Sequence, residues 1–403
     1  MKNTNNRILS IGVFNNTSRC YSITGPYLDE INNQSEFSFY VNYLEYYKKF
    51  GNNNFNKFII DYMSKYKITH IFIFLTGWDF ILSPKLLFSI SKSTPIILFT
   101  YDTEYYFENL ERYYAQFADL VVTTDKFSSF AFQELNINSH CAFSMYDGIN
   151  KYRKLSLIKD IDVSFIGNLN IGKRKFYIDF LKKNNINIKD YGLNSTNDVI
   201  DEDKMIEIIN RSKIVLNFTG LQNFTRMPPG IPRIRARIKQ SKGRPIEIGL
   251  CGSFLITETS PGIEYMYDIS NHVAVFSKED ELLEKIIFYL KNESKREQMA
   301  LDCHNYSIDN YELKSGFKKI FIKLSEVNHI KIDSDFYLDI PFKIEYYITH
   351  LKFALFFLFK FKITAFWDEI IILVNTNSFS FKRLIQEFNW YRIRILEKFK
   401  TLN

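Results

Sequence analysis

The chain has 403 residues, enough for two ordinary domains and a smaller appendage. Hydrophobic residues make up 46% and charged residues 24%, a balance that excludes an intrinsically disordered chain. The formal net charge of +7 suits anionic ligands or an anionic membrane surface, and it is too modest to mark a nucleic-acid binder.

Cys20, Cys141, Cys251 and Cys303 lie far apart and form no CxxC pair, which argues against a zinc site or a disulfide framework and for a reducing, cytoplasmic setting. The six histidines show no metal-ligand spacing, so no metal is expected. The N-terminus has no long apolar leader core, and no apolar run reaches the roughly 20 residues a spanning helix needs.

Taken in order, RILSIGVF (7–14) reads as a buried strand and 22–44 as a mixed aromatic stretch. Phe58, Ile59, Tyr62 and Met63 give 55–66 a helical spacing. THIFIFL (69–75) is a continuous apolar run, as in a strand buried on both faces. A helix over 86–91, strands at PIILFT (95–100) and LVVTT (120–124), and a helix over 128–135 follow. Alternating strands and helices predict an α/β unit with a mostly parallel sheet.

A second such unit starts near Asp160. It has strands at VSFIG (163–167), INIKDY (186–191), KIVLNF (213–218), FLI (254–256) and VAVF (273–276), with helices over 174–183, 204–210 and 279–290. Open parallel sheets bind ligands at the carboxyl ends of their strands, so the loops after Gly12, Thr100, Gly167, Phe218 and Ile256 are the ones to watch. The expected division is 1–155, 156–330 and a tail over 331–403. That tail is aromatic, basic and helical. Two readings of it stay open: a helical hairpin packed on the core or on a second copy of the chain, and an interfacial anchor on an anionic membrane over 336–400.

The stretch KQSKGRPIEIGLCGSFLITE (239–258) organises the second unit. A basic turn leads into a short helix opened by Pro245, with Glu247 in its first turn, and Cys251-Gly252 stops the helix before a buried strand. Arg244 beside a helix start attracts anions, and Glu247 can accept hydrogen bonds from sugar hydroxyls. Gly243-Arg244-Pro245-Ile246-Glu247, followed by Cys251-Gly252-Ser253-Phe254-Leu255-Ile256-Thr257-Glu258, resembles the signature of glycosyltransferases with the GT-B fold, and is most similar to their spore-maturation (CgeB-like) bacterial group.

The resemblance spans about 160–325 and implies α/β architecture: two Rossmann-like domains facing a cleft, acceptor domain first and donor domain second, with a helical tail. It implies a nucleotide-sugar donor with no further cofactor, and a glycan, lipid-linked or protein acceptor in surface polysaccharide, lipopolysaccharide or glycoprotein assembly. By the same resemblance Glu247 grips the donor ribose, Gly167, Lys173 and Arg174 face the donor phosphates with Arg244, and Glu258, Gly262 and Glu264 lie near the donor sugar. Many retaining enzymes of this fold carry a second glutamate eight positions upstream; here that position is Lys239.

Asp102 and Glu104 follow the PIILFT strand and are candidates for the general base that an inverting reaction needs, or else for caps of the next helix. Arg226 and Arg233, in a Pro-rich loop with Arg235 and Arg237, are candidates for an anionic acceptor, or else a solvated charge run. Asp160-Ile161-Asp162 is formally a DxD, but it precedes a strand and reads as coincidence. A sugar-nucleotide epimerase of the same fold and a non-catalytic binding subunit both stay open beside the transferase.

Overall fold

The computed structural model describes residues 3–13, 19–77, 82–220, 239–329 and 336–400. The described residues divide into two compact units, one within 3–141 and 320–400, the other within 142–220 and 239–319.

The first unit opens with β1 (Asn3–Gly12), α1 (Arg19–Gln34), β2 (Ser35–Asn42), α2 (Tyr43–Phe50) and α3 (Asn52–Tyr66). Next come β3 (His70–Leu75), α4 (Pro84–Ser91), β4 (Ile96–Thr100), α5 (Thr103–Tyr106), a π-helical turn (Phe107–Glu111), α6 (Arg112–Ala115), β5 (Leu120–Thr123), α7 (Lys126–Glu134) and β6 (Ser139–Cys141). The strands form a parallel sheet in the order β2-β1-β3-β4-β5-β6. The unbroken apolar runs of β3 and β4 sit at its centre with nearly every residue buried, because helices cover both faces. The stretch read as mixed, 22–44, is α1 followed by edge strand β2. Pro26 interrupts the helical pattern, and Tyr40 between Phe39 and Val41 interrupts the alternation of the strand.

The second unit contains β7 (Ile161–Ile166), α8 (Arg174–Lys183), β8 (Ile188–Tyr191), α9 (Glu202–Arg211), β9 (Ser212–Asn217) and α10 (Arg244–Leu250). It continues with β10 (Phe254–Glu258), α11 (Ile263–Met266), β11 (Ala274–Phe276), α12 (Glu279–Lys291) and α13 (Glu293–Tyr311). Its sheet is also parallel, in the order β11-β10-β9-β7-β8. The chain leaves β7 for β8 on one side and then crosses to β9 on the other. The strand order therefore reverses between β7 and β9, and that switch point is where an open α/β sheet leaves a crevice. Val163, Ile214, Leu216, Phe254 and Ile256 pack one core, while Val215, Leu255, Ile246, Ile248 and Leu250 pack another on the opposite face. Helix α14 (Leu313–Glu326) runs through the boundary at 319–320.

The tail forms α15 (Ile340–Phe359), α16 (Ile363–Thr376) and α17 (Phe381–Lys400). Phe342, Phe353, Phe357 and Ala365 join the core of the first unit. Glu369, fully buried, accepts a hydrogen bond from the Tyr47 hydroxyl at 2.7 Å and lies 2.6 Å from His350 Nδ1. A buried carboxylate is tolerated only with such partners.

Candidate functional site

Three loops of the second unit leave the carboxyl ends of neighbouring strands: 167–173 after β7, 218–220 after β9 and 259–262 after β10. Two of them meet backbone to backbone. Gly172 has φ +59°, and a Cβ placed there would stand 2.8 Å from the Gly220 carbonyl oxygen. Only glycine supplies both the left-handed conformation and the missing atom. Gly167 sits against the Phe165 ring, and Gly192 against the Gly167 carbonyl.

Arg174 is the first residue of α8, beside this crossing. Its guanidinium reaches the carbonyls of Asn168 at 3.3 Å and Phe218 at 3.4 Å, which ties the loops after β7 and β9 across the switch point. Both bonds are long, and Nε is buried with no hydrogen-bond partner among the described residues. Burial pulls the Arg174 pKa down to about 10, with Glu258 opposing the shift and Arg244 adding to it. The group stays cationic at neutral pH. A cation at a helix N-terminus also opposes the helix dipole. Burial and the helix dipole thus disfavour the charge, and only two long hydrogen bonds and the Glu258 charge offset them.

Glu258 ends β10 and is buried. Its Oε2 accepts hydrogen bonds from the N–H groups of Thr219 at 2.9 Å and Gly220 at 3.0 Å and from the Thr219 hydroxyl at 3.3 Å. Its Oε1 lies 3.1 Å from Lys239 Nζ. Lys239, which stands where a second glutamate was looked for, therefore serves as the counter-ion of a buried acid. Gly220 and Lys239 also form an antiparallel bridge, and Gln240 N–H donates to the Thr219 carbonyl at 3.0 Å.

Glu247 is mostly buried on the first turn of α10, and its Oε2 lies 2.5 Å from Arg244 Nη1. Gly243 packs under the Tyr146 hydroxyl so closely that any side chain would collide with it. Arg244 also contacts Met205 Sδ, and the Tyr152 hydroxyl and Lys151 both contact Glu202 beside them. Burial, then the Glu247 charge, drive the Tyr152 pKa up, and burial pushes the Cys251 thiol up to about 12. Cys251 is thus an inert packing group rather than a nucleophile.

The structure brings together Gly167, Arg174, Glu258, Arg244 and Glu247 at one end of one sheet. Lys173 caps α8 with its side chain exposed to solvent. Gly262 takes φ +91° ahead of α11, and Glu264 points to solvent. Asp160 and Asp162 are paired with Arg211 and Lys213, as befits surface acids. In the first unit Asp102 lies two residues beyond β4, half-buried, and Glu104 lies in α5 with its side chain outside the described residues. Arg226 and Arg233 also lie outside the described residues. Sequence reasoning missed Gly172, Thr219, Gly220 and the role of Lys239. The glycines carried a signal, since Gly220 follows a strand end and Gly172 precedes a helix, but nothing local ties the two together. Among the described residues no group of three or more His, Cys, Asp or Glu could hold a metal ion.

Residues 156–315 match the family described as glycosyl transferase-like. No curated protein matches the chain. Solved structures similar to it include HepE from Anabaena in complex with UDP-glucose, at 13% identity and TM-score 0.51 over 80% of this chain and 100% of that one. A glycosyltransferase from Rickettsia africae ESF-5 aligns at 9% identity and TM-score 0.53 over 80% and 98%. The sucrose-phosphate synthase from Thermosynechococcus elongatus aligns at 8% identity and TM-score 0.51 over 79% and 99%. At such identities the likeness establishes the fold, which is GT-B: two parallel-sheet α/β domains with a helical C-terminal region.

Proposed function

We propose that the chain is a glycosyltransferase that moves a sugar from a nucleoside-diphosphate sugar to a hydroxyl acceptor. The observation that carries this reading is Arg174, a half-buried, under-bonded cation at the switch point of the domain that matches a glycosyl transferase-like family. A diphosphate supplies what it lacks: charge, and oxygens in the geometry a guanidinium can grip. Arg244 provides a second cation, and Glu247 takes the ribose hydroxyls once Arg244 turns to the phosphates. Glu258 holds the loop after β9, and with it the backbone that meets the donor. UDP and UDP-glucose stand in the HepE structures, and a uridine donor is the first candidate here.

In the reaction the acceptor oxygen forms a bond to the anomeric carbon as the bond from that carbon to the phosphate oxygen breaks. The electron pair leaves with the diphosphate, where Arg174 and Arg244 stabilise the growing charge, so a metal is not needed for that task. The acceptor proton passes to a carboxylate of the first unit, for which Asp102 and Glu104 are the candidates. Arg226 and Arg233 are assigned to an anionic or lipid-linked acceptor. The setting is surface-glycan assembly, and the CgeB-like subtype rests on the 243–258 signature.

The test is thermal shift of the wild type and Glu247→Ala against UDP, GDP, CDP, ADP and dTDP, followed by release of free diphosphate on adding acceptor. At a hundred times its dissociation constant a diphosphate adds about 2.7 kcal/mol of stability. A response to one nucleotide that the variant loses supports the donor site. A folded protein that answers to none sinks it.

A further inference from the structure

The helices α16 and α17 turn much of their apolar surface outward. The face of α16 turned to the core carries Ala365, Glu369 and Leu373, while Ile363, Trp367, Ile371 and Val374 are exposed, Trp367 at 57% and Val374 at 71%. On α17 the charged Arg383 and Glu387 are buried, Arg383 forming a two-pronged pair with Glu345 of α15 at 2.6 and 2.9 Å. Phe381, Ile385 and Phe388 of the same helix are exposed. A helix meeting water places these residues the other way round. The outward stripes recur at helical spacing, and that of α16 runs about 16 Å along its axis.

The turn between α15 and α16 extends this surface with Phe359-Lys360-Phe361-Lys362, whose phenylalanines are 76% and 87% exposed. Lys362 Nζ donates to the carbonyls of Lys48 at 2.7 Å and Lys49 at 3.0 Å, which brings the end of α2 to the same place. Lys48, Lys49 and Lys360 are exposed on this surface, Lys48 Nζ lying 5.4 Å from the Phe356 ring and Lys49 Nζ 5.2 Å from the Phe50 ring.

We propose that this surface docks on a lipid bilayer with anionic headgroups. The Phe359 and Phe361 rings and the α16 stripe would lie in the headgroup boundary and the lysines would face lipid phosphates. A second protein copy is the weaker occupant, because lysines interleaved with the aromatics are depleted from protein interface cores but suit the boundary between headgroups and acyl chains. Among the described residues no helix is long and apolar enough to cross a membrane, so the helices lie on the surface. The proposal goes beyond the donor-site reading and does not depend on it.

The experiment is sedimentation of the full chain with vesicles of phosphatidylcholine alone or mixed with phosphatidylglycerol, without nucleotide. The wild type is expected to partition to the mixed vesicles. Changing Lys48, Lys49 and Lys360 together to Gln removes three surface charges and should weaken that partition on the order of a hundredfold. Phe359→Ser, Phe361→Ser and Trp367→Ser together should abolish binding to the mixed vesicles with an unchanged or higher thermal midpoint, since all three side chains are exposed. A wild type that ignores anionic vesicles overturns the proposal, as does a lysine variant that binds like the wild type. So does a wild-type dimer, by ultracentrifugation, that the aromatic variant converts to monomer while vesicles are not bound.

Discussion

Replacing Arg174 by Met should raise the stability of the ligand-free protein and weaken its grip on a nucleoside diphosphate. The fall of the Arg174 pKa from a guanidinium's ordinary value to about 10 corresponds to roughly 2–3 kcal/mol, after allowance for partial exposure, by which folding disfavours the charge. Against this, the variant loses two long hydrogen bonds to the Asn168 and Phe218 carbonyls, at the weak end of about 0.5–1.5 kcal/mol each. Met keeps much of the side-chain volume and removes a cation from a helix N-terminus, worth another 0.3–1 kcal/mol or so. The balance is a gain of about 2 kcal/mol, which in a domain of this size moves the midpoint up by about 4–8 °C. The same change deletes a charge-assisted bond to the diphosphate worth about 1.5–3 kcal/mol, or roughly 10- to 150-fold in affinity. Scanning calorimetry without ligand and titration with UDP measure the two effects on one preparation. A variant that melts several degrees lower and binds UDP as the wild type does would show that Arg174 is a strut between loops, and the reasoning from its missing partners would fall.

Glu258→Ala strands the Thr219 and Gly220 N–H groups and the Lys239 ammonium together, so urea melts should show a loss of about 3 kcal/mol or more; a loss under 1 kcal/mol would mean water replaces the carboxylate freely. Gly172→Ala puts a methyl 2.8 Å from the Gly220 carbonyl at φ +59°, and should cost about 2 kcal/mol while reducing UDP response; a neutral variant would show that the two loops do not cross so closely. Burial alone would raise the Asp190 pKa, but Lys182 Nζ at 2.7 Å and the Thr196 N–H at 2.6 Å hold it below the ordinary value. The unfolded chain therefore takes up that proton first as pH falls, so the contribution of Asp190 is complete above its unfolded pKa and fades below about pH 4. The gap in urea midpoint between wild type and Asp190→Asn should be constant from pH 6 to 8 and narrow in acid; a gap that widens in acid would reverse the sign.

The central strands were legible because a strand buried on both faces must be apolar throughout, as THIFIFL and PIILFT are, and no other element of that length looks the same. The helix from Arg244 to Leu250 was legible from its punctuation, Pro at the start and Gly252 in a left-handed conformation just past the end. Edge strand β2 was not, since half of it faces water and its aromatics pack sideways on α3, as Phe37 on Tyr66 and Phe39 on Tyr62 do. The tail announced its helices but hid their orientation. Charge on a helix ordinarily marks the wet face, and in α17 the charges of Arg383 and Glu387 point inward because Glu345 and Lys352 are there to meet them. Glu247 and its partner Arg244, three residues before it, were readable together, whereas Arg174 and Glu258 were readable only as polar groups near strand ends, their partners coming from 44 and 39 residues away. Distances of that kind are properties of the sheet order rather than of any window of sequence.

Those partners separate two acids that look alike in the sequence. Glu258 is buried and has protein donors on both oxygens, so a ligand would have to displace two backbone N–H groups from a site water does not reach. Glu247 meets one side chain, Arg244, through a single oxygen at a partly exposed position. A diphosphate arriving beside Arg244 competes for that guanidinium with twice the charge of a carboxylate. It can draw Arg244 off Glu247 and free the carboxylate for the ribose diol in the same event. Nucleotide charge and ribose contact are then coupled through Arg244. Loss of Glu247 should therefore weaken a nucleoside diphosphate by more than it weakens inorganic pyrophosphate, which carries the charge but no diol. Equal losses for the two in a competition titration would place Glu247 on the phosphates, or make it a plain support for Arg244.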